Sequence, residues 1–134
     1  MEVEAIVFCP SNPFISIDPI MAVPGIRDLI LASKSAVVAV SPIVGGSAIK
    51  GPAAKMMTEL GLECSPLGIA RHYAGLIDGI VIDHVDAHLA PEIRGLGIDV
   101  AVTATVMKVD DDKTQLARAT LDFARQISAR TRGE

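Results

Sequence analysis

Ala36-Val37-Val38-Ala39-Val40-Ser41-Pro42-Ile43-Val44-Gly45-Gly46 decides how the rest of the chain is read. Its first five residues are all apolar, too few for a helix and without the alternation of a half-buried strand. They predict a strand covered on both faces, as strands of a parallel sheet are. Ser41-Pro42 ends it, because proline cannot donate to a ladder, and residues 41–46 are read as its exit loop.

Working upstream, Val3 to Phe8 is a second apolar, β-branched strand that stops at Cys9-Pro10-Ser11-Asn12-Pro13, read as a loop through Ile17. Pro24-Gly25 then precedes apolar residues at helical spacing, which predicts a helix from about 24 to 33. Downstream, residues 52 to 60 form a helix sequence closed by Gly61, and Ser65-Pro66 opens another, with serine as N-cap and proline at the first helical position. Gly79 to Asp83 is a third strand, about 87 to 95 a short helix, and Asp99 to Thr105 a fourth strand. From Asp112 to about Arg130, Leu116, Ala119, Thr120, Phe123, Ala124 and Ile127 keep one stripe, an amphipathic cover helix. Strands separated by helices imply parallel pairing, hence an open α/β sheet with ligands at the carboxyl ends of its strands. Opening directly on a strand, the chain is read as the downstream portion of a larger sheet.

A length of 134 residues fits one domain. The apolar runs are broken well short of the ~20 residues a membrane span needs, and no signal-peptide pattern opens the chain. A net charge of −4 argues against a nucleic-acid partner but leaves room for a small anion held by local positive potential. Cys9 and Cys64 lie far apart without a CxxC, which suits a reducing cytoplasm; each is read as a small buried hydrophobe. Phe8, Phe14, Phe123 and Tyr73 are too few to build an aromatic stacking platform.

Two loops at strand exits carry the candidate chemistry. In the first, Ser11 and Asn12 offer hydroxyl and amide donors between stiffening prolines, suited to phosphate oxygens or a base edge. The alternative is an ordinary turn in which both bond their own backbone. In the second, Gly45 and Gly46 permit close backbone approach, and Lys50 supplies a cation just before a helix N-terminus. It matches neither a Walker A loop nor GxGxxG, and a plain glycine-rich turn remains the alternative. Asp83, His84, Asp86 and His88 have metal-ligand chemistry, but the simpler reading is a polar strand exit with Asp86 capping the next helix, so no metal is assigned to them. Asp110-Asp111-Asp112 reads as a solvated loop whose last member caps the final helix. Arg71 and His72 face either a ligand or solvent.

Together, Cys9-Pro10-Ser11-Asn12-Pro13, Ala22-Val23-Pro24-Gly25-Ile26-Arg27, Ser41-Pro42-Ile43-Val44-Gly45-Gly46, Ala48-Ile49-Lys50-Gly51-Pro52-Ala53-Ala54-Lys55-Met56-Met57 and Gly75-Leu76-Ile77-Asp78-Gly79 resemble the 2-phospho-L-lactate transferase family. The resemblance covers nearly the whole chain but only the downstream half or so of a usual member. It implies a mainly parallel, Rossmann-like sheet with helices on both faces. It also implies transfer of a phospholactyl or phosphoenolpyruvyl group from a guanosine diphosphate conjugate to a deazaflavin alcohol, releasing GMP, in coenzyme F-420 biosynthesis. Magnesium is the implied cofactor, with its aspartates, an initial glycine-rich phosphate loop and most of the deazaflavin pocket in the upstream half. The share of the nucleotide site carried over falls on Ser11 and Asn12 first, then Gly45, Gly46 and Lys50; no catalytic residue is assigned. A homodimer, association with a separately encoded upstream half, and a non-catalytic nucleotide-sugar-binding regulator similar to gluconeogenesis-factor proteins stand beside this reading.

Overall fold

The computed structural model describes residues 3–48 and 51–131. Strands β1 (Ala5–Phe8) and β2 (Ala36–Val40) pair in parallel. A short antiparallel hairpin, β3 (Ile43–Val44) and β4 (Ser47–Ala48), follows β2. Strands β5 (Gly79–Asp83) and β6 (Asp99–Thr103) complete a parallel sheet of order β1-β2-β5-β6. The expected α/β parallel sheet is present, with helices on both of its faces.

The two faces are written into β2, all five of whose residues are buried. Side chains alternate across a strand, so Val37 and Ala39 join Phe8, Ile80 and Ile82 beneath α3 (Ala53–Glu59), α4 (Pro66–His72) and α5 (Ala90–Arg94). Ala36, Val38 and Val40 instead join Val81 beneath α6 (Asp110–Thr131). Leu116, Thr120, Phe123, Ala124 and Ile127 are the buried stripe of α6, as the spacing predicts; Leu116, Phe123 and Ile127 each contribute roughly 1.5–3 kcal/mol on burial. The buried Thr120 hydroxyl donates to the Leu116 carbonyl, so it carries no unmet polarity. Close docking of α6 requires Gly79, where a Cβ would lie 2.7 Å from both the Ile127 and Phe123 side chains.

Several local expectations are corrected. The loop read through Ile17 contains a turn of π-helix, Pro13–Ile17, that runs into α1 (Asp18–Met21). Asn12 caps it and Pro13 starts it, the same logic as Ser65-Pro66 at α4, where the Ser65 hydroxyl accepts from the Gly68 N–H. The helix expected over 24–33 is α2 (Ile26–Ala32), because Gly25 sits at φ 89° and cannot be part of it. The exit loop after β2 is the β3–β4 hairpin. Gly45 (φ 59°) and Gly46 (φ 83°) are its two turn residues, both left-handed as a type I′ turn requires. The helix expected over 87–95 begins earlier, as a 3-10 segment His84–Leu89 leading into α5. The fourth strand ends at Thr103, and Thr105 is drawn out of the ladder by Asp83. Cys9 is exposed rather than buried, since it sits where the strand leaves the sheet.

Candidate functional site

The carboxyl ends of β1 and β2 lie side by side, Phe8 opposite Ala39, so the loop from Cys9 and the β3–β4 hairpin leave neighbouring strands on the same edge. In the first loop, the Ser11 N–H donates to the Cys9 carbonyl, 2.7 Å, and its side chain stays half-buried. The Asn12 side-chain oxygen, Oδ1, accepts from the N–H groups of Phe14 (2.9 Å) and Ile15 (3.3 Å). Its amide nitrogen donates to the Met56 sulfur at 3.4 Å, fastening the loop to α3. Asn12 therefore bonds its own backbone, the turn alternative, and retains one N–H for a ligand.

The hairpin is held from two sides. The Gly45 N–H donates to Oδ2 of Asp86 at 3.0 Å, and the Cys64 thiol donates to the Gly46 carbonyl at 3.1 Å. Asp86 is buried and fixes a glycine 41 residues away instead of capping a helix. Its carboxylate also occupies the Gly45 amide, so an anion binds there only if Asp86 is displaced. Gly45 and Gly46 are both exposed at the tip. Lys50 lies outside the described residues.

Asp83 is the N-cap of the 3-10 segment, accepting from Val85 at 3.1 Å, and accepts from both the N–H and hydroxyl of Thr105. Burial opposes its charge, but these hydrogen bonds and nearby His84 outweigh it and hold Asp83 below the ordinary aspartate range. With Asp83 and Asp86 spent on hydrogen bonds, among the described residues no group of three or more His, Cys, Asp or Glu is placed to hold a metal ion. These residues do not fit a magnesium site. Asp112 lies in the first turn of α6 and reaches back to the N–H groups of Lys108 and Val109, which lower its pKa, rather than preceding the helix as its cap.

His72 is half-buried, and its Nε2 meets both oxygens of Asp18, at 2.9 and 3.0 Å, tying α4 to α1. Phe14 packs edge-on against the His72 ring, and His72 against Tyr73, which meets Phe8 in turn. Burial first, then Asp18, push the Tyr73 hydroxyl up, and burial does the same to the Cys64 thiol. Neither is an activated nucleophile. Arg71 is exposed.

Two clefts open at the opposite, amino ends of the strands. One, about 310 Å³, is lined by Val37, Ile77, Asp78 and Ile98 among others; the second, about 880 Å³, by Ser33, Lys34, Asp78, Arg125 and Ser128 among others. Neither touches Ser11, Asn12, Gly45 or Gly46. In open parallel α/β sheets ligands bind outside the carboxyl ends of the strands, which favours the end that carries these two loops.

A singly wound parallel sheet with two donor-bearing loops at the carboxyl ends of adjacent strands defines the class: a Rossmann-like α/β unit. The family profile described as 2-phospho-L-lactate transferase CofD matches residues 1–122, and the chain belongs to that family. It is 43% identical over 120 residues to the 2-phospho-L-lactate transferase of Methanocaldococcus jannaschii, covering 90% of this chain and 37% of that protein. Against the phosphoenolpyruvate transferase of Streptomyces griseus it is 40% identical over 127 residues, 94% of this chain and 40% of the relative. The 2-phospho-L-lactate transferase of Methanothermobacter thermautotrophicus is 42% identical over 118 residues, with 88% and 38% covered. The chain thus spans about two fifths of the length of the curated relatives it matches. No helix among the described residues is long and apolar enough to cross a membrane.

Proposed function

We propose that this chain forms part of a transferase that moves a phospholactyl or phosphoenolpyruvyl group from a guanosine diphosphate conjugate to a deazaflavin alcohol, in coenzyme F-420 biosynthesis. The observation that carries this reading is the family match over residues 1–122, which takes in both carboxyl-end loops. In the reaction, the deazaflavin hydroxyl oxygen forms a bond to the phosphorus bearing the acyl group, and the bond from that phosphorus to the bridging diphosphate oxygen breaks. The hydroxyl proton leaves to a base or solvent, and the electron pair stays on the oxygen that departs with GMP.

This chain's part is to hold the nucleotide and meet the charge that grows on the diphosphate. The Ser11 hydroxyl and the remaining N–H of Asn12 supply donors from the first loop. The Gly46 amide and Lys50 supply donors from the second, with Gly45 shaping the turn while its own amide stays on Asp86. Magnesium would come with ligands from the part of the transferase outside this chain, and the compartment is the cytoplasm.

Calorimetric titration with magnesium and GDP, with a UDP-sugar as control, tests the reading on the chain joined to the unmatched part of the M. jannaschii relative. GDP-selective binding is expected, weakened at least about tenfold by Ser11→Ala or Lys50→Ala, since a hydrogen bond to a charged group contributes roughly 1.5–3 kcal/mol. UDP-sugar preference would instead make the chain part of a nucleotide-sugar-binding regulator. GDP affinity unchanged by both substitutions would remove the two loops from the site.

A further inference from the structure

The stretch that follows Ser11 and Asn12 has little apolar packing of its own. The π-helical turn Pro13–Ile17 buries only Pro13 and Ile17, and α1 after it buries no residue. Bonds to neighbouring elements therefore help decide where it sits. At its start, the Asn12 amide reaches α3 through the Met56 sulfur at 3.4 Å, and a thioether is a weak acceptor. At its far end, Asp18 meets Nε2 of His72 with both oxygens, at 2.9 and 3.0 Å. Between the two, Phe14 sets its ring edge-on to the same imidazole, centroids 5.0 Å apart. One side chain of α4 thus holds the stretch at two points.

His72 is itself anchored. It closes α4, whose residues Pro66 to Ala70 are all buried, and its ring packs against Tyr73, which meets Phe8 at the end of β1. On the other side, what His72 holds is bonded to Asn12 throughout. Phe14 and Ile15 give their N–H groups to the Asn12 side chain, and Ser16 and Ile17 give theirs to its main-chain carbonyl at 3.0 and 3.3 Å. A shift of Phe14 or Asp18 is therefore passed to Asn12. We propose that His72 is a positioning residue: through Phe14 and Asp18 it fixes the turn that aims the Asn12 amide and the neighbouring Ser11 hydroxyl. The task suits an imidazole, which combines a ring for the edge-on contact with an N–H for the carboxylate; an aliphatic or a lysine side chain supplies at most one of the two. Donors held in place beforehand need not be ordered when a ligand arrives. That these donors meet a nucleotide rests on the function proposed above; that His72 holds the turn rests on the geometry alone.

Two readouts test this. Hydrogen exchange on the chain follows the amides of Phe14, Ile15, Ser16 and Ile17, and calorimetry follows GDP binding by the chain joined to the unmatched part of the M. jannaschii relative. His72→Ala should speed exchange at the four amides about tenfold while leaving β2 and β5 unchanged, and should weaken GDP binding about tenfold. His72→Gln, which returns an N–H donor to Asp18, should bring both values back to within about threefold of the parent. Combined with Asn12→Ala, His72→Ala should cost less than the product of the two single losses, because it acts through Asn12. Should His72→Ala fail to fold, Asp18→Ala, on a side chain 42% exposed, removes one of the two holding points and should give losses of about threefold. Unchanged exchange at the four amides would overturn the clamp. Faster exchange with a lower melting temperature but undiminished GDP affinity, or losses that multiply with Asn12→Ala, would make His72 structural only. A parent that binds no GDP would end the function proposed above and the nucleotide part of this inference with it, and the exchange rates alone then decide whether His72 holds the turn.

Discussion

Asp83 ends β5 with both carboxylate oxygens accepting hydrogen bonds, and that commitment has a pH signature. Its partners, Thr105 and Val85, outweigh burial and hold the carboxyl below its ordinary value near 3.8. A carboxylate depressed in the folded state stabilises fully above the unfolded pKa, and that contribution is lost as pH falls through the folded one. Unfolding by urea across about pH 5 to pH 2 should therefore show Asp83→Asn less stable than the parent at the upper end and the difference shrinking toward the lower. A constant difference would mean that the charge contributes nothing. Asp86 and Asp112 show how much of such detail a sequence hides. Each reads in sequence as a helix cap, yet Asp86 serves Gly45 from 41 positions away and Asp112 reaches backwards to Lys108 and Val109. Side chains that bond across the fold leave no local spacing to read.

Helices with local punctuation were legible. Ser65-Pro66 shows its cap and first-turn proline in two letters, and Ser65→Ala should cost about 1 kcal/mol of stability in thermal or urea unfolding. Unchanged stability would mean that the hydroxyl's bonds to the Gly68 N–H and to Glu63 contribute nothing net. The same grammar stands at Asn12-Pro13, where the reading as loop overlooked a cap it contained. The hairpin escaped for a different reason. Strands of two residues have no periodicity, and Gly45-Gly46 satisfies a turn in a loop as well as one in a ladder. Its geometry changes the chemistry expected of it, because a type I′ turn pinned by Asp86 has one glycine amide fewer to offer an anion.

At the scale of the molecule, fold and site were legible to different depths. Alternation within Ala36–Val40 and the stripe of α6 dictate a two-faced parallel sheet without reference to anything outside the chain. Under the proposed function the site is shared, and two loops at one edge are this chain's contribution to it. Ser11 and Asn12 could be placed from sequence at a strand's carboxyl end, but whether their donors are free depended on packing, which leaves Asn12 one N–H and Gly45 none. The apolar helix α2, by contrast, was visible as a helix but not as an exposed one, since exposure is a property of the assembled sheet. The central claim is that nucleotide binds at the carboxyl ends of β1 and β2, although the described clefts lie at the opposite ends. Amide-resolved NMR of the chain joined to the unmatched part of the M. jannaschii relative, isotopically labelled and titrated with GDP, separates the two edges of the sheet directly. The largest shifts are expected at Ser11, Asn12 and Gly46; shifts confined to Ser33, Lys34, Asp78 and Ser128 would contradict it.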